Sequence, residues 1–582
     1  MSSEDGKVQI VYNGEVYNFK ELRKLLEGHG HRFETGTDTE VILKAYLEWG
    51  IACLKRFVGM FSLAIWDGRN RRLFLARDRL GIKPLYYYQS GGILLFASEL
   101  KAIMGFRIFP REIDPDALSL FLHYQYIPAP RSIFRATHKL LPGSYMAFDE
   151  DGEHSSPYWH LPEPPEKSSF DLGEEESLEH LDHLMTRATS DRLISDVPLG
   201  ALLSGGIDSS VVAALMQKAN SSPIRTFSVG FTEKTFDEAP WALKVASHLG
   251  TDHTELYVTP AEAMEAIPRL PEVYDEPFAD ASAIPTFLVC RLARSRVTVA
   301  LSGDGGDEQF SGYVRYWSTR EMWDRFQQLP RPVKRLVSKG TGLIPQRWVT
   351  RSYPLWSRLG PRRFQVANFP DKWQKFVAML EPASLSDLYR TSICIWPAKE
   401  IPLLTGRHLP ESIFEEAFRE SEGWPLISRL MRVDQRTYLP DGMLTKVDRA
   451  SMAVSLEVRI PLLDHRVVEF ASLLPEELKH RNGTGKYLLK RLLARYVPGS
   501  LVERPKMGFG VPMDRWLRRE LKDMLLDFLS PQRLKKEGLF NPVLVEKKIG
   551  EHLSGRINHQ YRLWALLVWE MWRRRWMESA PN

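Results

Sequence analysis

Ser204-Gly205-Gly206-Ile207-Asp208-Ser209 constrains this chain more than any other stretch. A short apolar lead, Ala201-Leu202-Leu203, runs into it, and a helix-compatible run, Val211 to Met216, follows. Strand, tight loop and helix in that order make an anion-binding turn. Glycines let the backbone close on the ligand, and the helix start offers free N–H groups. Asp208 stands where a phosphate-bound magnesium needs a hard oxygen. No Lys-Ser/Thr follows at the Walker spacing. The nearest imitation, Gly483-Thr484-Gly485-Lys486, lacks both the spacing and the hydroxyl. The plainer reading of this loop alone is an ordinary glycine turn in an α/β domain.

A second loop narrows the choice. Val297-Thr298-Val299-Ala300-Leu301 leads into Ser302-Gly303-Asp304-Gly305-Gly306-Asp307-Glu308. Two β-branched or apolar runs that each open into a glycine loop suit a parallel sheet, whose ligands lie beyond the carboxyl ends of the strands. Asp304, Asp307 and Glu308 repel one another unless cations or hydrogen-bond donors offset the charge. A nucleotide with magnesium does this. The bland alternative is a solvated acidic turn.

At 582 residues, two or more domains are expected. A hydrophobic content of 43% and a charged content of 26% fit a globular chain. No stretch reaches the roughly 18–20 uncharged residues that span a bilayer. The apolar run Trp564 to Met571 is short and carries Glu570. Met1 to Gly6 does not read as a signal peptide, so a cytoplasmic location without membrane partners is expected. A net charge of +5 over so large a surface does not imply nucleic acid. Cys53, Cys290 and Cys394 form no metal-ligand pattern and read as small buried hydrophobes.

Residues 7–149 are strand-rich. Val8 to Val11, Met60 to Trp66, Arg72 to Ala76, Leu85 to Tyr88 and Ile93 to Phe96 read as extended, while Phe19 to His29 and Thr39 to Trp49 have helical spacing. Residues 150–177 are polar and acidic, with Pro162, Pro164 and Pro165, which marks a linker. The boundary is placed near residue 160, giving domains 1–160 and 161–582. The second alternates strand and helix before residue 310 and is mainly helical afterwards.

Taken in order, several blocks resemble the glutamine-dependent asparagine synthetase family. They are Tyr12-Asn13-Gly14-Glu15, Gly36-Thr37-Asp38-Thr39-Glu40, and Ala76 to Leu85. The two glycine loops follow, then Lys446-Val447-Asp448-Arg449-Ala450-Ser451-Met452 with Glu457 to Asp464 behind it. The resemblance implies an α+β and α/β two-domain chain. Its parts are an N-terminal-nucleophile glutaminase sandwich and an ATP-pyrophosphatase α/β domain with a helical C-terminal extension. It implies ATP and Mg2+, with aspartate and either ammonia or glutamine as partners, and it allows a homodimer. Aspartate's carboxylate attacks the α-phosphorus of ATP, pyrophosphate leaves, and ammonia takes the acyl group from AMP.

Residue by residue, the resemblance gives ATP binding to Leu202, Ser204, Gly205, Gly206, Asp208, Ser209, Val229, Ser302 and Gly303. It gives magnesium to Asp208 and Asp307, and catalysis to Asp304, Arg449 and Lys446. Arg449 is expected to neutralise the leaving pyrophosphate, a task suited to bidentate contact but not to proton transfer. Relatives of the family amidate peptides, act in surface-sugar pathways or close lactam rings, and the loops do not choose among acceptors. A catalytically inactive scaffold would be expected to lose Asp208, Asp304 or Asp307, and all are present.

Asn13, Gly14, Glu15 and Asp38 match the residues that hold glutamine, with Asn13 also in the oxyanion hole. The family's nucleophile is an N-terminal cysteine, whereas this chain reads Met1-Ser2-Ser3 with no cysteine before Cys53. The expectation is therefore a truncated glutaminase sandwich with unpaired edges and disorder before residue 40, and an enzyme that needs free ammonia.

Overall fold

A computed structural model describes residues 1–164, 170–233, 237–328, 384–502 and 510–578. Alternation of side chains at period two builds the N-terminal half. Its strands are β1 (Val8–Val16), β2 (Gly59–Asp67), β3 (Arg72–Arg77), β4 (Tyr86–Ser90), β5 (Ile93–Ala97), β6 (Thr137–Lys139), β7 (Ser144–Asp149) and β8 (Gly152–Pro157). They form two antiparallel sheets, ordered β1-β2-β3-β7-β8 and β5-β4-β6. Leu63, Ile65, Phe74 and Ala76 share a core with Leu22 and Leu26 of the helix Phe19–Gly28 and Val41 and Ile42 of the helix Asp38–Trp49. The intervening Ala64 and Leu75 point the other way and meet Tyr87 and Leu140. The larger sheet thus lies between a helical layer and the smaller sheet.

This arrangement corrects the expectation of a truncated sandwich. Val8, Ile10 and Val16 are buried, and both early helices pack on the sheet. Met1 to Ser3 fold back along β1. The Ile10 N–H donates to the Met1 carbonyl at 2.9 Å and the Ser3 N–H to the Val8 carbonyl at 2.8 Å. Val8, Ile10, Val16, Leu22 and Leu26 of the segment before residue 40 therefore pack in a core. The linker also begins later than expected, because β8 lies inside the polar stretch that starts at residue 150. Its residues Gly152 to Ser155 are exposed on a sheet edge, so they show no apolar alternation. Residues 165–169 of that stretch lie outside the described residues.

The second half holds five parallel strands: β9 (Leu199–Leu202), β10 (Arg225–Phe231), β11 (Asp252–Val258), β12 (Val299–Leu301) and β13 (Glu457–Arg459). Their order is β11-β10-β9-β12-β13. The helices Ile207–Lys218 and Ala239–Leu249 make the crossovers from β9 to β11. The chain then returns to the other side of β9. The order reverses between β9 and β12, and a crevice opens beyond their carboxyl ends. Helices dominate the rest, and Trp564, Trp569 and Trp572 of the helix Gln560–Arg573 are fully buried in the largest core. The part of the expected helical region at 329–383 lies outside the described residues. No described helix is long and apolar enough to cross a membrane.

Two buried ion pairs join the halves. Lys83 Nζ lies 2.9 Å from Asp448 Oδ1, and Lys139 Nζ lies 2.9 Å from Glu276 Oε2. Tyr124, Tyr126 and Ile127, which precede the proposed boundary, sit in the same core as the C-terminal tryptophans.

Candidate active site

The reversal point brings the two glycine loops into contact. The loop after β9 ends in Gly206, which caps the helix Ile207–Lys218 and leaves that helix's first N–H groups facing the crevice. Ser204 and Ser209 close the turn, their hydroxyls 3.1 Å apart, and the Gly206 N–H donates to Ser204 Oγ at 3.3 Å. Gly303 of the second loop lies directly on this turn, where a Cβ would stand 2.4 Å from Ser209 N. A side chain at Gly303 would separate the loops.

Leu202, Ser204, Gly206, Asp208, Ser209, Val229, Ser302, Gly303, Asp304, Asp307 and Lys446 all line one cleft. Gly205 is not among the described lining residues. It packs on Trp241 and Ala242, where a Cβ would lie 2.6 Å from Ala242 N. Leu202 and Val229, with Phe227 beside them, supply an apolar wall next to the serine-rich turn. Ser302 donates its hydroxyl to Asp304 Oδ2 at 2.5 Å and fixes that carboxylate in the cleft lining. Lys446 Nζ donates to Ser282 Oγ at 2.9 Å and lies 3.5 Å from Asp280 Oδ2. Burial alone would lower the Lys446 pKa. Asp280, Tyr438 and Asp304 outweigh it and raise the value, so the ammonium stays charged.

The sequence reading missed Lys486. Its ammonium pairs with Asp208 and lies 2.8 Å from Asp307 Oδ1. It thus sits between the two carboxylates assigned to magnesium. Burial would again lower its pKa, but Asp208 and Asp307 raise it. A short hairpin places it: His480–Arg481 pairs with Thr484–Gly485 around Asn482 and Gly483, both at positive φ. Lys486 follows at φ +59, just before the helix Tyr487–Leu493. The Asn-Gly pair was the local signal, and it announced a hairpin rather than a phosphate loop. Gln125, from the N-terminal half, also lines the cleft and was not foreseen.

Arg449 lies elsewhere. It is 1% exposed and is not among the described residues lining the cleft. Its guanidinium donates to the Ser98 carbonyl at 2.6 Å, lies 3.3 Å from Glu99 Oε1 and stands over the Tyr86 ring. The expectation that Arg449 meets pyrophosphate is therefore corrected. The helix Thr445–Met452 directs Lys446 to the cleft and Arg449 to the N-terminal half.

The residues matched to glutamine binding lie along β1 and at the start of the helix Asp38–Trp49. Asp38 Oδ2 accepts from the Tyr12 hydroxyl at 2.8 Å and from the Val16 N–H at 3.0 Å. Asn13 Nδ2 donates to Ser98 Oγ at 3.0 Å. Gly14 crosses β2 so closely that a Cβ would stand 2.1 Å from the Met60 carbonyl oxygen. Glu15 lies 3.5 Å from Arg459. Burial, with Asp38 nearby, pushes the Glu15 carboxyl up to about 7 against the pull of Arg459. Cys53 is buried and its thiol is pushed up to about 12 by burial, so it is no nucleophile. Cys290 and Cys394 are buried as expected.

A magnesium site can be tested on the side chains present. Asp208 and Asp307 converge on one cation, Lys486, so the pair already tolerates a concentrated positive charge. No described group of three or more His, Cys, Asp or Glu is placed to hold a metal alone. Two carboxylates completed by substrate phosphate oxygens and water fit magnesium's usual mode of binding.

The family model described as asparagine synthase matches residues 180–574, and the glutamine amidotransferase domain model matches residues 1–159. The second match starts at residue 1 and overturns the reading of the N-terminal domain as truncated. Asparagine synthetase (glutamine-hydrolyzing) 1 of Bacillus subtilis strain 168 is 31% identical over 98% of this chain and 86% of its own length. A putative asparagine synthetase (glutamine-hydrolyzing) of Mycobacterium bovis is 32% identical over 98% of this chain and 85% of its own. Amidase chyE of Penicillium rubens is 25% identical over 90% and 80%.

Proposed function

The chain belongs to the asparagine synthase family, and from that premise we propose how its cleft performs the family's chemistry. It is an ATP-dependent ligase that forms asparagine from aspartate through an acyl adenylate, releasing pyrophosphate and AMP. We take residues 1–160 as the amidotransferase unit and residues 161–582 as the synthetase unit.

ATP lies across the β9–β12 crevice, its adenosine on Leu202 and Val229. Its phosphates face Ser204, Ser209 and the N–H groups that follow Gly206. Magnesium, when bound, is held by Asp208 and Asp307 and neutralises phosphate charge. Lys486 shifts from the two carboxylates toward the β- and γ-phosphates and carries the role expected of Arg449. It acts as a positive charge facing the phosphate oxygens. Lys446 and Asp304 flank the α-phosphorus side. Lys446 draws the acceptor carboxylate into line, and Asp304 meets the incoming ammonia. Asn13, Gly14, Glu15 and Asp38 hold glutamine in the other half.

The observation that carries this reading is the convergence of Asp208, Asp307 and Lys486 where two strand-end loops meet. The experiment supplies purified protein with ATP, Mg2+, ammonium and a panel of carboxylic acids, and follows AMP and amide by mass spectrometry. Asparagine formed with equimolar AMP and pyrophosphate supports it. AMP formed only with a peptide, lactam precursor or sugar acid moves the acceptor elsewhere and keeps the activation step.

A further inference from the structure

Arg449 is buried, charged and absent from the described lining of the cleft, so its charge has another use. It is held by an unusual set of neighbours. Its guanidinium grips the Ser98 carbonyl at 2.6 Å and lies 3.3 Å from Glu99. Its Nε is buried without a hydrogen-bond partner. An incompletely satisfied buried arginine is costly and is retained where the contact it makes matters.

Ser98 is one of the points where the two halves meet. Its hydroxyl has two neighbours in the N-terminal half, Asn13 Nδ2 at 3.0 Å and Ser62 Oγ at 3.3 Å. Its carbonyl accepts from Arg449. Arg449 sits on the helix Thr445–Met452, which also carries Lys446 to Ser282 at the cleft. The same helix is pinned by Lys83 through Asp448 and by the Tyr274 hydroxyl, which donates to the Lys446 carbonyl at 3.3 Å. The contacts between Asn13 and Lys446 thus run through one hydroxyl, one carbonyl, one guanidinium and one helical turn.

We propose that Ser98 and Arg449 form a coupling link through which a ligand in the Asn13 pocket changes the nucleotide affinity of the cleft, Arg449 being a positioning residue. Ser98 supplies the two-state element. Asn13 Nδ2 donates to Ser98 Oγ. A side-chain carbonyl in the pocket competes for that donor and leaves the Ser98 hydroxyl with Ser62 alone. The Ser98 peptide moves with it, and Arg449 passes the shift to the helix that carries Lys446. Coupling of this kind is reciprocal, so nucleotide in the cleft changes the affinity of the pocket by the same factor. The inference rests on the reading of Asn13, Gly14, Glu15 and Asp38 as a glutamine pocket.

The test is calorimetric titration of the full chain with L-glutamate, the product form of the amide donor, with and without saturating MgATP. The wild-type chain is expected to show a Kd for glutamate that differs at least about fivefold between the two conditions. Ser98→Ala and Arg449→Met each bring that ratio to about one. Arg449→Lys, which keeps a donor near the Ser98 carbonyl, restores part of it. Ser98→Ala retains ammonium-driven asparagine formation, which separates lost coupling from lost folding. Equal affinities in the wild-type chain, or a ratio that survives in Ser98→Ala and Arg449→Met, overturn the link and leave the pocket standing. No glutamate binding in either condition overturns the pocket and the link with it.

Discussion

Lys486 and Glu15 show how single side chains set the behaviour of this chain. Lys486 holds two carboxylates together by charge, and in the proposed mechanism its electrostatic role strengthens as pyrophosphate leaves. Lys486→Met should lower aspartate-dependent pyrophosphate release by about 100-fold or more, with a smaller change in nucleotide binding. Steady-state assay alongside nucleotide titration checks this. Equal losses in both would make Lys486 a ground-state clamp. Glu15 makes a prediction about stability and pH. Its carboxyl is raised from an ordinary 4.5 to about 7 by burial, so the folded chain binds more protons than the unfolded one between those values. Stability contributed by this group is therefore lost as pH rises through that window, by on the order of 3 kcal/mol. Glu15→Gln removes the titration. Denaturant unfolding at pH 5 and pH 8 should show the variant gaining on the wild type at the higher pH, and an unchanged gap between the two would refute this.

Elements position these residues, and here the sequence was legible in some places and silent in others. The two strand-loop-helix units could be read because an apolar run, a glycine pair and a helix start are adjacent along the chain. The approach of Lys486 to Asp208 could not, since it joins residues far apart through a hairpin whose own signal is only a turn. Arg449 follows Lys446 closely, but no motif says that their side chains diverge; packing of the helix Thr445–Met452 against Ser98 decides it. β8 was hidden because a polar edge strand looks like a linker. The hairpin leads to a sharper test at Gly312, where a Cβ would stand 2.0 Å from Asp307 Oδ1 and 2.1 Å from Lys486 Cε. Gly312→Ala should push these charges apart and reduce turnover about 100-fold, while circular dichroism stays that of the wild type. Full activity in this variant would show that turnover does not depend on Lys486 sitting against Asp307.

At the scale of the whole molecule, the halves are joined by buried charge as well as apolar packing. Lys83 and Asp448 are both nearly inaccessible and 2.9 Å apart. Lys83→Met leaves Asp448 buried without its ammonium and should cost about 3–5 kcal/mol, and Lys83→Met with Asp448→Leu should recover most of it. Denaturant unfolding of the single and double variants checks this, and a double variant no more stable than Lys83→Met would contradict it. In the proposed function, the crevice between β9 and β12 activates a carboxylate by joining it to the α-phosphorus of ATP. Aspartate labelled with 18O in its side-chain carboxylate tests it directly, with ammonium as nitrogen donor and mass spectrometry of the nucleotide product. Attack by the carboxylate oxygen, followed by its departure with the phosphorus, places one labelled oxygen in AMP and leaves pyrophosphate unlabelled. ADP with labelled inorganic phosphate, or AMP without label, would contradict the account.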